Sequence, residues 1–335
     1  MKKILSLLLM VCTLSAFAQD EIDNLIKGTK ADATYLVTGY AAPALNAISA
    51  GLNQGWYNTA APHKLFGFDL TLTASPVFLS SSDLTYTVNN ANLTNVKLVS
   101  VGSTAVSPTG SAEVPTVFGD DIKPRYQGYS NGFPTGQPFD GAPGLNLDIP
   151  VVGSASPMAM VQLGLGLPKG TDLKFRFFPS TKIGDGGNVS MFGIGVMHDI
   201  KQYIPGVKSL PFDLSGFFGY TSLKLDVGLD TSDPGKRAVF ETTAMTVQGL
   251  ISKKISVLTL YGSVGYNFNS SSLGVKGTYT SNSVTLVDPI DISASPSGAR
   301  LTAGLRLKFA IFTFHGDYTL QKYNSLSVGF GFNVR

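Results

Sequence analysis

The sequence holds one cysteine among 335 residues, Cys12, and it lies inside the first apolar run. A chain that loses this run keeps no thiol, which excludes a disulfide framework and cysteine chemistry. Lipidation of Cys12 would call for a small residue before it, and Val11 stands there. Charge is scarce too: Asp, Glu, Lys and Arg together make 14%, against about a quarter in ordinary soluble domains. A net charge of +3 excludes the dense basic surface of a nucleic-acid binder. The three histidines, His63, His198 and His315, form no pair at metal-ligand spacing. "GLGLPKG" at 164–170 lacks the spacing of a dinucleotide loop. Past the first residues no apolar run approaches the roughly 18–20 residues that a membrane-crossing helix needs.

What is present begins with "MKKILSLLLMVCTLSAFAQD". Lys2 and Lys3 precede an apolar run, and Ala16 and Ala18 form a small-x-small cleavage site. Residues 1–18 read as a secretory signal peptide, too short to span and ending in a cleavage site. Its removal leaves a net charge of +1. An exported chain with no helical span can still enter a membrane as a closed barrel, which satisfies every backbone group in lipid.

The C-terminal "LSVGFGFNVR" puts Leu326, Val328, Phe330, Phe332 and Val334 on one strand face and small or polar residues on the other. "FTFHGDYTLQ", "RLTAGLRLKF", "LTLYGSVGYNF" and "LFGFDLTLT" alternate in the same way. Arg306 and Lys308 inside such a strand require that one face be wet. Twelve strands are expected, near 64–74, 82–89, 95–102, 157–167, 171–178, 188–199, 212–227, 239–252, 256–268, 299–309, 311–321 and 324–334. Stretches 114–118 and 273–287 would raise the count to fourteen or extend loops. Gaps at 168–170, 253–255 and 310 are short, whereas those at 179–187, 228–238 and 269–298 are long and polar. Assigned alternately backward from the C-terminus, the short gaps fall at one end and the long ones at the other, as in bacterial outer-membrane barrels. The exceptions are a long connection at 200–211 and a tight one at 322–323. Phe66, Phe68, Tyr220, Tyr266, Phe268, Phe309, Phe312 and Tyr323 stand at strand ends, where interfacial girdles lie. The expected fold is all-β: a transmembrane antiparallel up-and-down barrel of twelve to fourteen strands over 64–335, with a short helical hatch at 19–63.

Within the hatch, Pro43 suits a first helical turn and Gly51 a C-terminal stop, with Leu45, Ile48 and Leu52 on one face. Such a segment starts in the periplasm and plugs the lumen from below or lies beneath the barrel. Residues 103–156, rich in Gly, Pro and aromatics with no period, cover the outer mouth, dip into the lumen or form a mobile loop.

Candidate binding residues are Arg306, Lys308, Lys174, Arg176, His315, Asp317, Trp56 and Tyr57. The four cations would line the lumen as a basic stripe that holds an anionic solute or a fatty-acid carboxylate, or they pair with Asp69, Asp172, Asp199 and Asp317. His315 and Asp317 share a face and with a serine would imitate a hydrolase relay. That reading is set aside, and no catalytic residue, metal or cofactor is expected.

"GLNQGWYNTAAPHKLFGFDLTLT" and "GIGVMHDIKQYIPGVKSLPFDLS" resemble a family of uncharacterised outer-membrane β-barrel proteins of Gram-negative bacteria. The arrangement also resembles the long-chain fatty-acid transporter superfamily, in which a hatch precedes the barrel and carries a Tyr-Asn-Pro-Ala type motif. Here Tyr57, Asn58, Thr59 and Ala60 replace it, with Pro62 two places on. The terminal aromatic of such barrels is absent, since Arg335 follows Val334. Phe330, Phe332 and Val334 are then left to carry the signal for the barrel-assembly machinery. The resemblance implies an outer-membrane, porin-like monomer in contact with lipid. Such a barrel is expected to take up small hydrophobic or amphipathic molecules passively, or to serve as a non-transporting surface scaffold that binds a partner through its outer loops.

Overall fold

The computed structural model describes residues 29–149, 152–183, 187–230, 233–281 and 284–334. The expected signal peptide, 1–18, lies outside the described residues. Ten strands close a barrel: β1 (Phe68–Ala74), β2 (Ala159–Leu167), β3 (Thr171–Ile183), β4 (Gly187–Asp199), β5 (Asp213–Gly228), β6 (Arg237–Ile255), β7 (Leu258–Lys276), β8 (Gly298–Phe309), β9 (Phe312–Leu320) and β10 (Ser325–Val334). All neighbours are antiparallel, and β1 pairs with β10 from Phe68↔Val334 to Ala74↔Val328, so no edge remains. The alternation of the sequence becomes the alternation of the wall. Leu305 is 48% exposed on the outside, while the adjacent Arg306 is 7% exposed in the lumen. Leu70, Leu72, Val161, Leu163, Val247, Ile251, Phe314 and Val328 form the same outer apolar belt. A soluble fold does not present so large an apolar surface, and this is the architecture of outer-membrane barrels.

The count is ten, below the expected twelve to fourteen. The segments at 82–89 and 95–102 do form strands, Thr85–Asn89 and Val96–Val101, but they pair with Ser111–Pro115 and Pro124–Ser130 outside the barrel. At five and six residues they fall short of the roughly 9–11 that cross a bilayer. Alternation reports a two-faced sheet and is blind to whether the greasy face meets lipid or a core. The 114–118 stretch belongs to this same small domain, and Thr278–Ser281 pairs with Val284–Val287 as a hairpin within a loop.

Residues 75–158, joining β1 to β2, thus form one insertion, here called the cap. The region 103–156 is largely ordered rather than loop. Pro124–Ser130 and Phe133–Asp140 pair through Asn131–Gly132, whose φ angles of +50° and +82° suit a tight hairpin. Short turns at Lys169–Gly170, Ser256–Val257 and Ala310–Ile311 gather at one end of the barrel, the turn end. The cap and the β7–β8 connection gather at the other, the loop end, whereas the long β4–β5 connection at 200–212 lies with the short turns, the Asp199 amide beside it donating to the Gly170 carbonyl.

The N-terminal segment is a single helix, α1 (Lys30–Leu52), of 23 residues. Thr29 caps it in a reciprocal box with Asp32. Pro43 sits in its interior and Gly51 in its last turn, with Asn53 as C-cap, which corrects the expected boundaries. The direction also differs from expectation. The Asp32 carboxylate accepts the Thr94 and Asn95 amides of the cap at 2.7 and 2.8 Å, so α1 starts at the loop end. It descends into the lumen, and residues 53–67 run on to the turn end, where β1 begins. The segment enters the barrel from the loop side, and it does not lie beneath it.

Candidate functional site

The inside of the barrel has two storeys. In the lower one the descending segment is held by the wall. A helix end leaves carbonyls without partners and carries partial negative charge, and α1 has no basic residue in its last turn. The barrel supplies two. Arg176 donates to the Leu52 carbonyl at 2.9 Å, the Gln54 carbonyl at 2.5 Å and Gln162 Oε1 at 3.2 Å. Arg300 donates to the Asn53 carbonyl at 2.9 Å and Gln54 Oε1 at 3.0 Å. The Arg176 guanidinium also lies 3.6 Å from the centre of the Trp56 ring.

Trp56 packs in the lumen against Phe217, ring centres 5.6 Å apart, within a buried cluster that also holds Tyr57, Met197, Leu250 and Tyr261. Gly195 and Gly219 make room for it: a Cβ on either would stand about 3 Å from the indole, 3.0 and 2.9 Å respectively. The Tyr57 hydroxyl meets Gln248 and Ser263, each at 2.5 Å. Further down, Ser252 and Ser215 bind the backbone of Ala60. His63 is bound to Asp172 by its amide and by Nδ1, both at 2.8 Å, and Asn333 meets its Nε2 at 2.5 Å.

All eight expected residues face this lower lumen, but in different roles. Lys174 lies 3.8 Å from Asp172 and 4.0 Å from Asp69. Arg176 has no carboxylate partner among the described residues and serves as a helix cap. Lys308 donates to Asn333. Arg306 is buried with its Nε unpartnered among the described residues. Asp317 accepts the Tyr261 hydroxyl at 2.8 Å, and His315 Nε2 lies 3.3 Å from Thr73 Oγ1. His315 and Asp317 are not bonded to each other, so no Ser-His-Asp relay forms. Asp199, expected as a pairing partner, instead accepts the Lys201 amide at 2.8 Å. Tyr323, expected in the aromatic girdle, is buried, with its hydroxyl on Asp83 at 2.9 Å.

Arg176, Lys174 and Lys308 are therefore engaged with the plug and the wall, whereas the Arg306 side chain makes no hydrogen bond or ion pair among the described residues. Arg300 was missed because the expected strand began beside it. Its even-numbered parity with Thr302, Arg306 and Lys308 places it on the wet face, which is the signal that could have found it.

The upper storey has the opposite chemistry. β5, β6 and β7 are 16, 19 and 19 residues long, beyond the about 9–11 that cross a bilayer. Their two faces exchange character partway up. On β5 the outward residues pass from Phe218 and Tyr220 to Lys224 and Asp226, while the inward ones pass from Ser215 and Thr221 to Leu225 and Val227. On β7 the inward face changes from Asn267, Asn269 and Ser271 to Leu273 and Val275. Outside, Lys224 pairs with Glu241 at 2.6 Å and Arg237 with Asp226 at 2.7 Å, a surface made for water. Above this inversion the wall, α1 and the cap line a partly open cavity of about 500 Å³. Leu45, Ile48, Leu225, Phe240, Val275 and Leu145 represent its lining, which is overwhelmingly apolar. Its size lies within the range of small-molecule sites. It was not foreseen. The alternating Leu223, Leu225, Val227 and Leu229 opposite charged residues carried the signal, read only as continued strand.

None of the curated proteins matches this chain. Among solved structures it is similar to the attachment invasion locus protein Ail of Yersinia pestis, at 10% identity, covering 80% of this chain and 99% of that one, with a TM-score of 0.27. It is similar to the translocator domain of the autotransporter NalP from Neisseria meningitidis, at 12% identity, 92% and 99% coverage and a TM-score of 0.32. The outer membrane protease OmpT from Escherichia coli matches at 8% identity, 84% and 99% coverage and a TM-score of 0.28. Likeness at this level carries no argument about function. Residues 1–334 match a family of unknown function, DUF6588, and the chain belongs to that family.

Proposed function

We propose that the protein is an outer-membrane barrel that captures a small hydrophobic or amphipathic molecule in the upper chamber. Exported through a cleaved signal peptide and inserted by the barrel-assembly machinery, it sits in outer-membrane lipid as a monomer, loop end outward. The single observation that carries the reading is the partly open apolar cavity where the wall rises beyond the apolar outer belt. A chamber that only completed a core would be packed to crystal-like density, and this one leaves ligand-sized room. Passage inward follows when the segment around Trp56 and Tyr57 gives way, since side chains fill the lumen below the chamber.

The test is binding of a neutral hydrophobic fluorophore to the protein in lipid nanodiscs, with uptake into liposomes measured beside it. Ala44→Phe with Ala238→Phe fills the chamber and should weaken binding at least about tenfold. Wild-type protein that binds nothing above the empty-disc blank would sink the capture reading. Binding without flux in any plug variant would remove transport and leave capture.

A second reading is a closed surface barrel whose cap binds a partner. It is favoured by the edge strand Phe133–Asp140, which pairs on one side with Pro124–Ser130 and carries Phe133 at 74% exposure. Removal of that hairpin should abolish partner binding and leave the chamber intact.

A further inference from the structure

Among the described residues, the lining of the chamber contains one ionisable carboxyl group, Asp121, and no lysine, arginine or histidine. Asp121 is solvent-exposed at the rim. Among the described residues it makes no hydrogen bond or ion pair. Its backbone surroundings are fixed: the Gly144 amide donates to the Asp120 carbonyl at 2.9 Å, the Asn146 amide to Gly119 at 2.9 Å and the Leu145 amide to Val117 at 2.9 Å. Two neighbouring cap segments are thereby stitched together, and the rim holds its carboxylate beside an apolar cavity. The basic residues expected to receive a carboxylate lie in the lower lumen, below the end of α1, with Arg176 and Arg300 occupied by its carbonyls.

We infer that the chamber selects an amphiphile whose headgroup donates hydrogen bonds, an ammonium or a hydroxyl, and discriminates against carboxylate and phosphate heads. The inference rests on the capture reading and names the ligand class of that site. With its chain in the cavity, such a molecule brings its head to the rim. There a donor finds the Asp121 carboxylate, whereas an anion meets like charge with no cation in the lining to offset it. An unpaired charge at an apolar mouth is costly, but Asp121 is wet, so the discrimination is modest.

The experiment is displacement of a neutral fluorophore by decylamine, decanol and decanoate at pH 7, using the full chain in zwitterionic nanodiscs with empty discs subtracted. Decylamine should compete about tenfold more strongly than decanoate, with decanol between them. Asp121→Asn should bring the three within about twofold, and Asp121→Lys should reverse the order. Equal competition in the wild type overturns the inference while the capture reading stands, as does a preference that survives Asp121→Asn. Failure of the fluorophore and all three amphiphiles to bind overturns both.

Discussion

The lower lumen and the upper chamber share the same strands and are solved in opposite ways. In the proposed membrane setting lipid surrounds the wall below, where the outward face is apolar and the polar residues turn inward. There they would be buried without partners unless something filled the bore. Residues 53–67 fill it, and side chains of the wall meet backbone groups of Asn53, Gln54, Trp56, Ala60 and His63. Above it, in the same setting, water surrounds the wall, and Lys224, Glu241, Arg237 and Asp226 point out while the apolar residues turn in against α1. A polar interior can be closed by hydrogen bonds over short distances. An apolar one is closed by packing, and packing can leave a void. The comparison teaches that this barrel places its seal and its candidate binding space at different heights.

The largest effect should come from breaking the seal. Arg176→Met with Arg300→Met strips the caps from the end of α1 and leaves buried carbonyls unsatisfied. The loss should be about 3–5 kcal/mol, read as a lower melting temperature, and planar-bilayer conductance should rise from near zero. Unchanged conductance with an intact fold would show that the plug does not control the bore.

Gly219→Val should act next. Its added side chain enters space held by the indole, at a Cβ distance of 2.9 Å from Trp56. Trp56 is the sole tryptophan, so its fluorescence reports this one site. Its emission should shift to the red as water reaches it, while a neutral probe still binds the chamber. The overpacking should cost about 1–3 kcal/mol. A blue, unchanged emission would mean that the segment accommodates the bulk without moving.

The height of the inversion can be measured directly. Labels on Phe218→Cys and Lys224→Cys should divide, the first quenched by nitroxide lipids and the second by an aqueous quencher. Equal lipid quenching at both would put the upper wall inside the membrane. The smallest effect belongs to the exposed Lys224–Glu241 pair, whose double replacement by alanine should cost at most about 1 kcal/mol. A larger loss in thermal unfolding would give the upper wall a structural role that its exposure does not suggest.

Much of the wall was legible in the chain. Leu301 to Phe309 states by parity which residue meets lipid, and Leu305 and Arg306 occupy the sides assigned to them. Sorting the connections by length separated the two ends of the barrel, save for the long connection at 200–212 on the turn end and the tight one at 321–324 on the loop end. The strand total was not legible, because Thr85–Asn89 and Val96–Val101 alternate like membrane strands while covering the core of the cap. The cap hairpin had a local signal in Asn131–Gly132 that the surrounding Gly- and Pro-rich stretch obscured. For the site, parity drew Lys174, Arg176, Arg306 and Lys308 into the lumen but was silent on their partners. Arg176 turned from an anion ligand into a helix cap because α1 enters from the loop end, a direction no local pattern encodes.

By itself, the sequence determined that strands alternate, that one face is apolar, that charge is rare and that short and long connections sort, with two exceptions, to opposite ends. These follow from the two-residue period of a strand and from turn chemistry, both local. The tertiary structure alone decided that ten strands close the barrel, that α1 descends into it and that the upper wall and cap line a cavity. Each of these depends on residues more than a hundred positions apart in the chain, such as Leu52 with Arg176 and Phe68 with Val334, meeting in space. Closure and packing choose such pairs from the whole molecule at once.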